Sequence, residues 1–192
     1  MEIIDIKREL PMGEFLEKYV DVERFLKSCS ECRGYGMTWA CPPYDFDPND
    51  IWRRFRSILI YGRKVVFSPE EREKTYDKHE LTLSYNSILK PVKQGLMEEL
   101  YALEAANEGS LALSAGGCDL CAECTRPKGG PCRFPDRMRY SVESIGGDVL
   151  GVMSEVLGEK VLWAEDGRLP EHFLIVGGLL RDRQSDGFRS GI

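Results

Sequence analysis

Four of the seven cysteines in this chain lie in one short segment, with a spacing that is typical of iron–sulfur proteins. Two successive C-x2-C steps bring three thiolates into one tight loop, where they can bind three corners of a cubane cluster. A fourth cysteine follows a stretch rich in glycine and proline that lets the chain turn back, so it can supply the fourth ligand. This four-cysteine group consists of Cys118, Cys121, Cys124 and Cys132. The sequence therefore predicts one [4Fe–4S] cluster in this loop.

The same four cysteines could instead form a structural zinc knuckle, because thiolates bind both metals. Three cysteines at successive two-residue intervals fit the face of a cubane better than the paired C-x2-C hairpins of zinc ribbons do. An odd number of cysteines clustered at short intervals also favours metal thiolates over disulfides. Zinc therefore remains the alternative cofactor.

The remaining cysteines form a three-cysteine group, Cys29, Cys32 and Cys41. A structural zinc site and a fully ligated cubane each need four protein ligands. This group therefore either takes a ligand from elsewhere or leaves one metal position open, where a second [4Fe–4S] cluster could activate a small substrate. Alternatively, its thiolates join the metal of the four-cysteine group or form a zinc site with one further side chain. The candidates for that further ligand are Asp45, Asp47 and His79.

Basic residues are concentrated around the four-cysteine group. One interpretation is that they balance the negative charge of a cluster. The other is that they receive a small anionic substrate or an acidic redox partner protein. These residues are Arg126, Lys128, Arg133, Arg137 and Arg139.

Two predicted elements position the cysteines. Apolar residues at helical spacing predict a helix over residues 13–27, which would place Cys29 at its C-terminal end. A short buried strand over residues 111–114 leads through two glycines to Cys118. We therefore expect the four-cysteine group to follow the end of a strand.

The order of the predicted elements favours an α/β (or α+β) fold. A strand at residues 57–67, with a break at Gly62, is followed by helical segments from Ser68 to Asn107 and by the strand at residues 111–114. A strand, a long helix and a second strand usually form a right-handed parallel crossover. We therefore expect a small, mainly parallel sheet with packed helices and two cysteine-rich metal-binding loops. Further elements are predicted at residues 2–8 (strand), 48–55 and 148–157 (helices) and 173–176 (strand).

The length and composition indicate a single metal-binding domain at residues 1–180, followed by a polar C-terminal tail at residues 181–192. The net charge of −6 argues against a general nucleic-acid binder, which needs an excess of lysine and arginine. The sequence starts without the pattern of a signal peptide, and it contains no apolar stretch of membrane-spanning length. We therefore expect no membrane association and a cytoplasmic location.

Taken together, both cysteine groups and the motifs around them resemble a family of predicted metal-binding proteins, the domain of unknown function 2284, over residues 29–150. The resemblance implies metal bound by cysteines, iron–sulfur in character, and names no reaction. The Arg-Pro-Ser stretch common in that family reads Arg139-Tyr140-Ser141 here. The motifs that carry the resemblance are Cys29-x2-Cys32, Tyr35-Gly36, Trp39-Ala40-Cys41-Pro42-Pro43, Gly117-Cys118-x2-Cys121-x2-Cys124, Cys132-Arg133-Phe134-Pro135 and Ser141-x-Glu143-x2-Gly146-x-Asp148-Val149.

Three hypotheses about function follow from these observations. The leading one is an iron–sulfur protein that serves in electron transfer or as a component of a redox enzyme. The second is an enzyme in which an open-site cluster on the three-cysteine group activates a small substrate. The third is a zinc-binding structural or interaction module without redox function.

Overall fold

The computed structural model describes residues 1–182, apart from the side chains of Lys78 and Tyr85. Its centre is one four-stranded sheet with the strand order β1-β2-β4-β3, in which every neighbouring pair is antiparallel. Helices pack on both faces of this sheet, so the fold is α+β. The strands are β1 (Glu2–Pro11), β2 (Ser57–Val66), β3 (Leu111–Leu113) and β4 (His172–Arg181).

The expectation of a mainly parallel sheet is wrong. β2 and β3 do run in the same direction, since both are antiparallel to β4, but β4 lies between them. The last strand is ten residues long rather than the four predicted, and it pairs with all ten residues of β2. This long antiparallel ladder separates the two strands that the crossover was expected to pair.

The helices are mostly where apolar periodicity predicts them. The single helix predicted over residues 13–27 is two helices, because Val20 is extended and forms a bridge to Gly147. Asp21 then caps the second of them by accepting a hydrogen bond from the backbone N–H of Arg24. The helices are α1 (Met12–Tyr19), α2 (Val22–Ser30), α3 (Asn49–Trp52), α4 (Pro69–Glu73), α5 (Lys78–Ala106) and α6 (Val149–Gly151), the last continuing as a π-helical turn (Val152–Val156).

The long helix α5 covers one face of the sheet. Leu96 and Leu100 of this helix are fully buried against Tyr61 and Leu179. A Cβ added at Gly177 would lie 2.7 Å from Leu100 Cδ1, so the helix approaches the strand as closely as a glycine allows.

The opposite face is covered by α1, α3 and the segment around residues 142–157. Trp52 is fully buried there, and its Nε1 donates a 2.8 Å hydrogen bond to the carbonyl oxygen of Ile145. This bond fixes the turn that contains Glu143 against the core, and Glu143 lies next to the cysteines described below.

Most of the polar tail predicted at residues 181–192 lies outside the described residues, and Arg181 itself is the last residue of β4. Within residues 1–182, no helix has both the length and the apolar character needed to cross a membrane.

Candidate metal centre

The four-cysteine group lies around a single cavity. β3 ends at Leu113, and the chain reaches Cys118 through Gly116, which has a left-handed backbone with φ of +67°. A short 3₁₀ turn ends at Gly129, with φ of +71°, and returns the chain towards the first three cysteines. All four thiols, Cys118, Cys121, Cys124 and Cys132, are free and line one cavity of about 310 Å³.

The surroundings of Cys118 disfavour its thiolate. Burial raises the pKa of Cys118, a hydrogen bond from the backbone of Leu120 opposes this, and the nearby Asp119, Cys132 and Cys124 raise the pKa further. A metal that binds these sulfurs must therefore displace a proton from Cys118, since thiolates are the ligands.

The three-cysteine group is assembled by the end of α2 and the loop after it. A Cβ placed on Gly34 would lie 3.7 Å from the sulfurs of both Cys32 and Cys41, so the two thiols flank this glycine. The Sγ of Cys29 donates to the carbonyl oxygen of Glu143 at 3.8 Å. Burial raises the pKa of Cys29, and the charges of Glu143, Cys32 and Cys41 act in the same direction. The structure thus brings these three thiols close to one another.

Arg126 joins the two cysteine loops. Its guanidinium donates to the carbonyl oxygen of Thr38 at 2.6 Å and also to those of Cys41 and Pro43. A planar guanidinium can satisfy several carbonyls at once because its donors have a fixed geometry. One side chain from the four-cysteine loop therefore holds the backbone of the three-cysteine loop.

Trp39 makes the reciprocal contact. Its Nε1 donates to the carbonyl oxygen of Gly130 at 3.1 Å, and its ring centroid is 5.3 Å from the guanidinium carbon of Arg126. Met37, Thr38 and Trp39 also line the cavity of the four-cysteine group. The two loops are thus one structural unit, although the sequence separates them by about eighty residues.

The other basic residues around the four-cysteine group are engaged within the chain. Arg137 and Arg139 form ion pairs with α5, and Lys128 and Arg133 both contact Glu123. The three ion pairs reduce the positive charge that Lys128, Arg137 and Arg139 offer to an anion, whereas Arg133 donates to a neutral backbone carbonyl. The distances are 2.7 Å for Arg137 to Glu98, 2.7 Å for Arg139 to Glu104, 3.1 Å for Lys128 to Glu123, and 2.7 Å from Arg133 to the Glu123 carbonyl oxygen.

Glu143 belongs to the site, although residue types and spacing alone assigned it no chemical role. Its carbonyl oxygen accepts from Cys29, and its carboxyl Oε2 is closed to solvent without a hydrogen-bond partner among the described residues. Burial raises the pKa of Glu143, opposed by a hydrogen bond from Ser141 and the charge of Lys93. The signal for Glu143 in the sequence was its place in the motif Ser141-x-Glu143-x2-Gly146, which is one of those that carry the resemblance.

The side chains considered as extra zinc ligands, Asp45, Asp47 and His79, have other neighbours or are exposed. Asp47 accepts hydrogen bonds of 2.9 Å from the backbone and side-chain amides of Asn49, at the start of α3. His79 is exposed near the start of α5, and the charge of Asp45 acts on Tyr140. Across residues 1–182, no three histidine, cysteine or acidic side chains converge closely enough to hold a single metal ion.

Comparison with known proteins identifies one family. The family described as predicted metal-binding protein, the domain of unknown function 2284, matches residues 16–180, which include both cysteine groups. No curated protein and no solved structure matches the chain.

Proposed function

Because this chain belongs to the family of predicted metal-binding proteins, we propose that its four-cysteine group holds a [4Fe–4S] cluster. In this proposal the protein carries electrons, either by itself or as a component of a redox enzyme. The observation that carries the proposal is that four free thiols line one cavity.

The size of the cavity favours a cluster over a single ion. A structural zinc ion draws four sulfurs to about 2.3 Å from one point. A cubane places iron and sulfide between its ligands, so the cysteine sulfurs stand further apart around a larger space. Among the described residues, no three of these thiols converge closely enough to hold one ion, and the cavity that they share with other side chains, about 310 Å³, has room for a larger group.

The remaining walls of the cavity suit a redox centre. Trp39, Pro127 and Met138 line it beside the thiols and limit the access of water. Solvent exposure and hydrogen bonds to sulfur set the reduction potential of such clusters. A bound cluster would supply the one-electron chemistry, while these residues would control its surroundings.

A second candidate function is an enzyme with an open-site cluster on Cys29, Cys32 and Cys41. One observation favours it: Cys32 and Cys41 flank Gly34, and both lie close enough to Cys29 for their charges to act on it. The contacts of Arg126 and Trp39 would keep this centre beside the first one, which suits electron exchange between them. The expected substrate is a small molecule that binds the iron left without a cysteine ligand.

The test compares one cysteine from each group on protein prepared without oxygen. Cys121→Ala should abolish the visible absorption of the cluster in the four-cysteine group, while Cys32→Ala should leave that absorption in place. Loss of the electron paramagnetic resonance signal of a second cluster in Cys32→Ala would support the open-site enzyme. A colourless wild-type protein would contradict both proposals and favour the zinc module.

A further inference from the structure

A wide opening outside the four-cysteine cavity lies where the short strand β3 leaves part of one edge of β4 uncovered. β3 pairs only with residues 178–180 of β4, so on the side away from β2 residues 174–176 line a cavity instead of meeting a further strand. This cavity measures about 550 Å³, within the range of small-molecule sites. Its walls come from both faces of the sheet.

The walls of this cavity are mainly apolar. Leu89 of α5 lies on one side, and Val149 and Met153 lie on the other, with Leu174 and Val176 of β4 between them. Such walls fit the carbon skeleton of a small molecule, whose burial removes apolar surface from water.

Glu143 supplies a polar group that the protein leaves unsatisfied. It lines the cavity, and its Oε2 has neither solvent nor, among the described residues, a hydrogen-bond partner. Burying a carboxyl oxygen without a hydrogen bond costs free energy of folding unless a donor reaches it. A ligand that carries a donor would provide the missing bond.

Lys93, whose charge acts on Glu143, already has other partners. Lys93 Nζ donates to the carbonyl oxygen of Gly117 and lies 3.3 Å from the carboxylate of Asp119. Lys90 is exposed at the edge of the cavity. The charge of Lys93 is therefore compensated by Asp119, and the carboxyl group of Glu143 is left to act on a ligand.

The cavity lies next to residues of both cysteine groups. Glu143 accepts a hydrogen bond from Cys29, and Asp119 follows Cys118 directly in the chain. A molecule in this cavity would be adjacent to the loops that carry the thiols, yet it would occupy a space separate from the four-cysteine cavity.

We propose that this cavity binds a small molecule with an ammonium head group on an apolar body, and that Glu143 accepts the hydrogen bond of that head group. The binding site goes beyond the proposed cluster. Its test measures binding rather than electron transfer, so a failure of either proposal can be recognised separately.

The probe is n-hexylammonium, titrated calorimetrically into the purified, metal-loaded protein, with hexanol and hexanoate as matched probes. Hexylammonium should bind more tightly than the other two. Glu143→Gln keeps the shape of the side chain and removes its charge, so it should weaken hexylammonium binding at least about tenfold. Glu23→Gln, which changes an exposed carboxylate on α2 outside this cavity, should bind like the wild type.

A second variant keeps the test decisive if Glu143→Gln does not fold. Met153→Trp fills the apolar end of the cavity and should also weaken hexylammonium binding, without touching the carboxyl group. Equal binding of hexylammonium and hexanol, tighter binding of hexanoate, no binding of any probe, or an unchanged affinity in Met153→Trp would each overturn the proposal.

Discussion

Among single residues, Arg126 makes the contact that most directly holds the two cysteine loops together. It reaches the carbonyl oxygens of Thr38, Cys41 and Pro43, which are distant from it in the sequence. Spacing singled out the cysteines as candidate ligands, because metal ligands recur at short intervals. The role of Arg126 could not be predicted, since it depends on how two distant loops pack.

Arg126→Lys should weaken the connection between the two cysteine loops. A lysine has one compact ammonium group and cannot reach three carbonyls in the fork geometry of arginine, so carbonyl groups lose their partners. We expect a loss of about 1–3 kcal/mol in the free energy of unfolding, measured by chemical denaturation. The control is Arg133→Lys, which affects only one exposed hydrogen bond, to the carbonyl oxygen of Glu123. This variant should change the free energy of unfolding much less. Equal effects in the two variants would contradict this account.

A second prediction about a single side chain concerns Thr38. It lines the four-cysteine cavity, and its Oγ1 is closed to solvent with no hydrogen-bond partner among the described residues. With a cluster bound in this cavity, the hydroxyl of Thr38 would be available to donate a hydrogen bond to one of its sulfurs, which would favour the reduced form. Thr38→Val should therefore lower the reduction potential by roughly 20–60 mV, the equivalent of one ordinary hydrogen bond.

The matched control for that prediction is Thr38→Ser, which keeps the hydroxyl. It should hold the potential close to the wild-type value in a redox titration followed by visible absorption. If the valine and serine variants had the same potential, the hydroxyl would have no part in tuning the cluster.

Among the elements, α2 depends on a glycine for its position. Gly146 has φ of +91°, and a Cβ at this residue would lie 2.6 Å from the Cα of Val22 in α2. Real side chains do not tolerate such a contact with backbone, so the helix that carries Cys29 would have to move. The glycine therefore permits the contact between Cys29 and the turn that contains Glu143.

Gly146→Ala should destabilise the protein by more than the cost of its left-handed backbone alone, which is about 1–3 kcal/mol. Gly158→Ala is the matched control, because Gly158 also has a positive φ, +71°, but nothing lies within 4 Å of its added Cβ. Thermal and chemical denaturation of both variants would measure the difference. A Gly146→Ala protein as stable as Gly158→Ala would show that the close approach of α2 has no energetic consequence.

The elements themselves were largely predictable, whereas their arrangement was not. Alternation and apolar runs gave the positions of β1, β2 and β3, and helical spacing gave those of α1 and α5. Gly62 suggested a break in β2, but the strand is continuous because β1 and β4 pair with it on both sides. A Cβ on this glycine would lie 2.6 Å from Leu157 Cδ1, so Gly62 marks close packing. The place of β4 in the sheet depends on long-range pairing that no local pattern encodes.

In the whole molecule, a polar network links β1, β2 and α5. Arg63 is only 9% exposed at its side chain and binds Asp5 at 2.7 Å as well as Glu99. Tyr61 donates to Asp5 at 2.7 Å in the same network. The hydrogen bond from Arg63 lowers the pKa of Asp5, and Tyr61 and Arg63 together lower that of Glu99.

This network predicts how the stability of the molecule depends on pH. A carboxyl group whose pKa is lower in the folded state stabilises the fold above its unfolded pKa of about 4, and this contribution disappears as the pH falls through the folded value. The difference in unfolding free energy between the wild type and Asp5→Asn should therefore be largest near neutral pH and shrink in acid. Asp50→Asn, which removes an exposed carboxylate, is the control. A difference that does not change between pH 7 and pH 3 would contradict the prediction.

In the proposed function the four-cysteine group holds a [4Fe–4S] cluster, and the most direct test is to measure iron and acid-labile sulfide in protein purified without oxygen. The most informative sample is a variant in which Cys29, Cys32 and Cys41 are all replaced by alanine. It should contain about four irons and four sulfides per chain, and the wild type should contain about eight of each if the second cluster is present. Zinc without sulfide in the wild type would contradict the claim and identify a structural metal site instead.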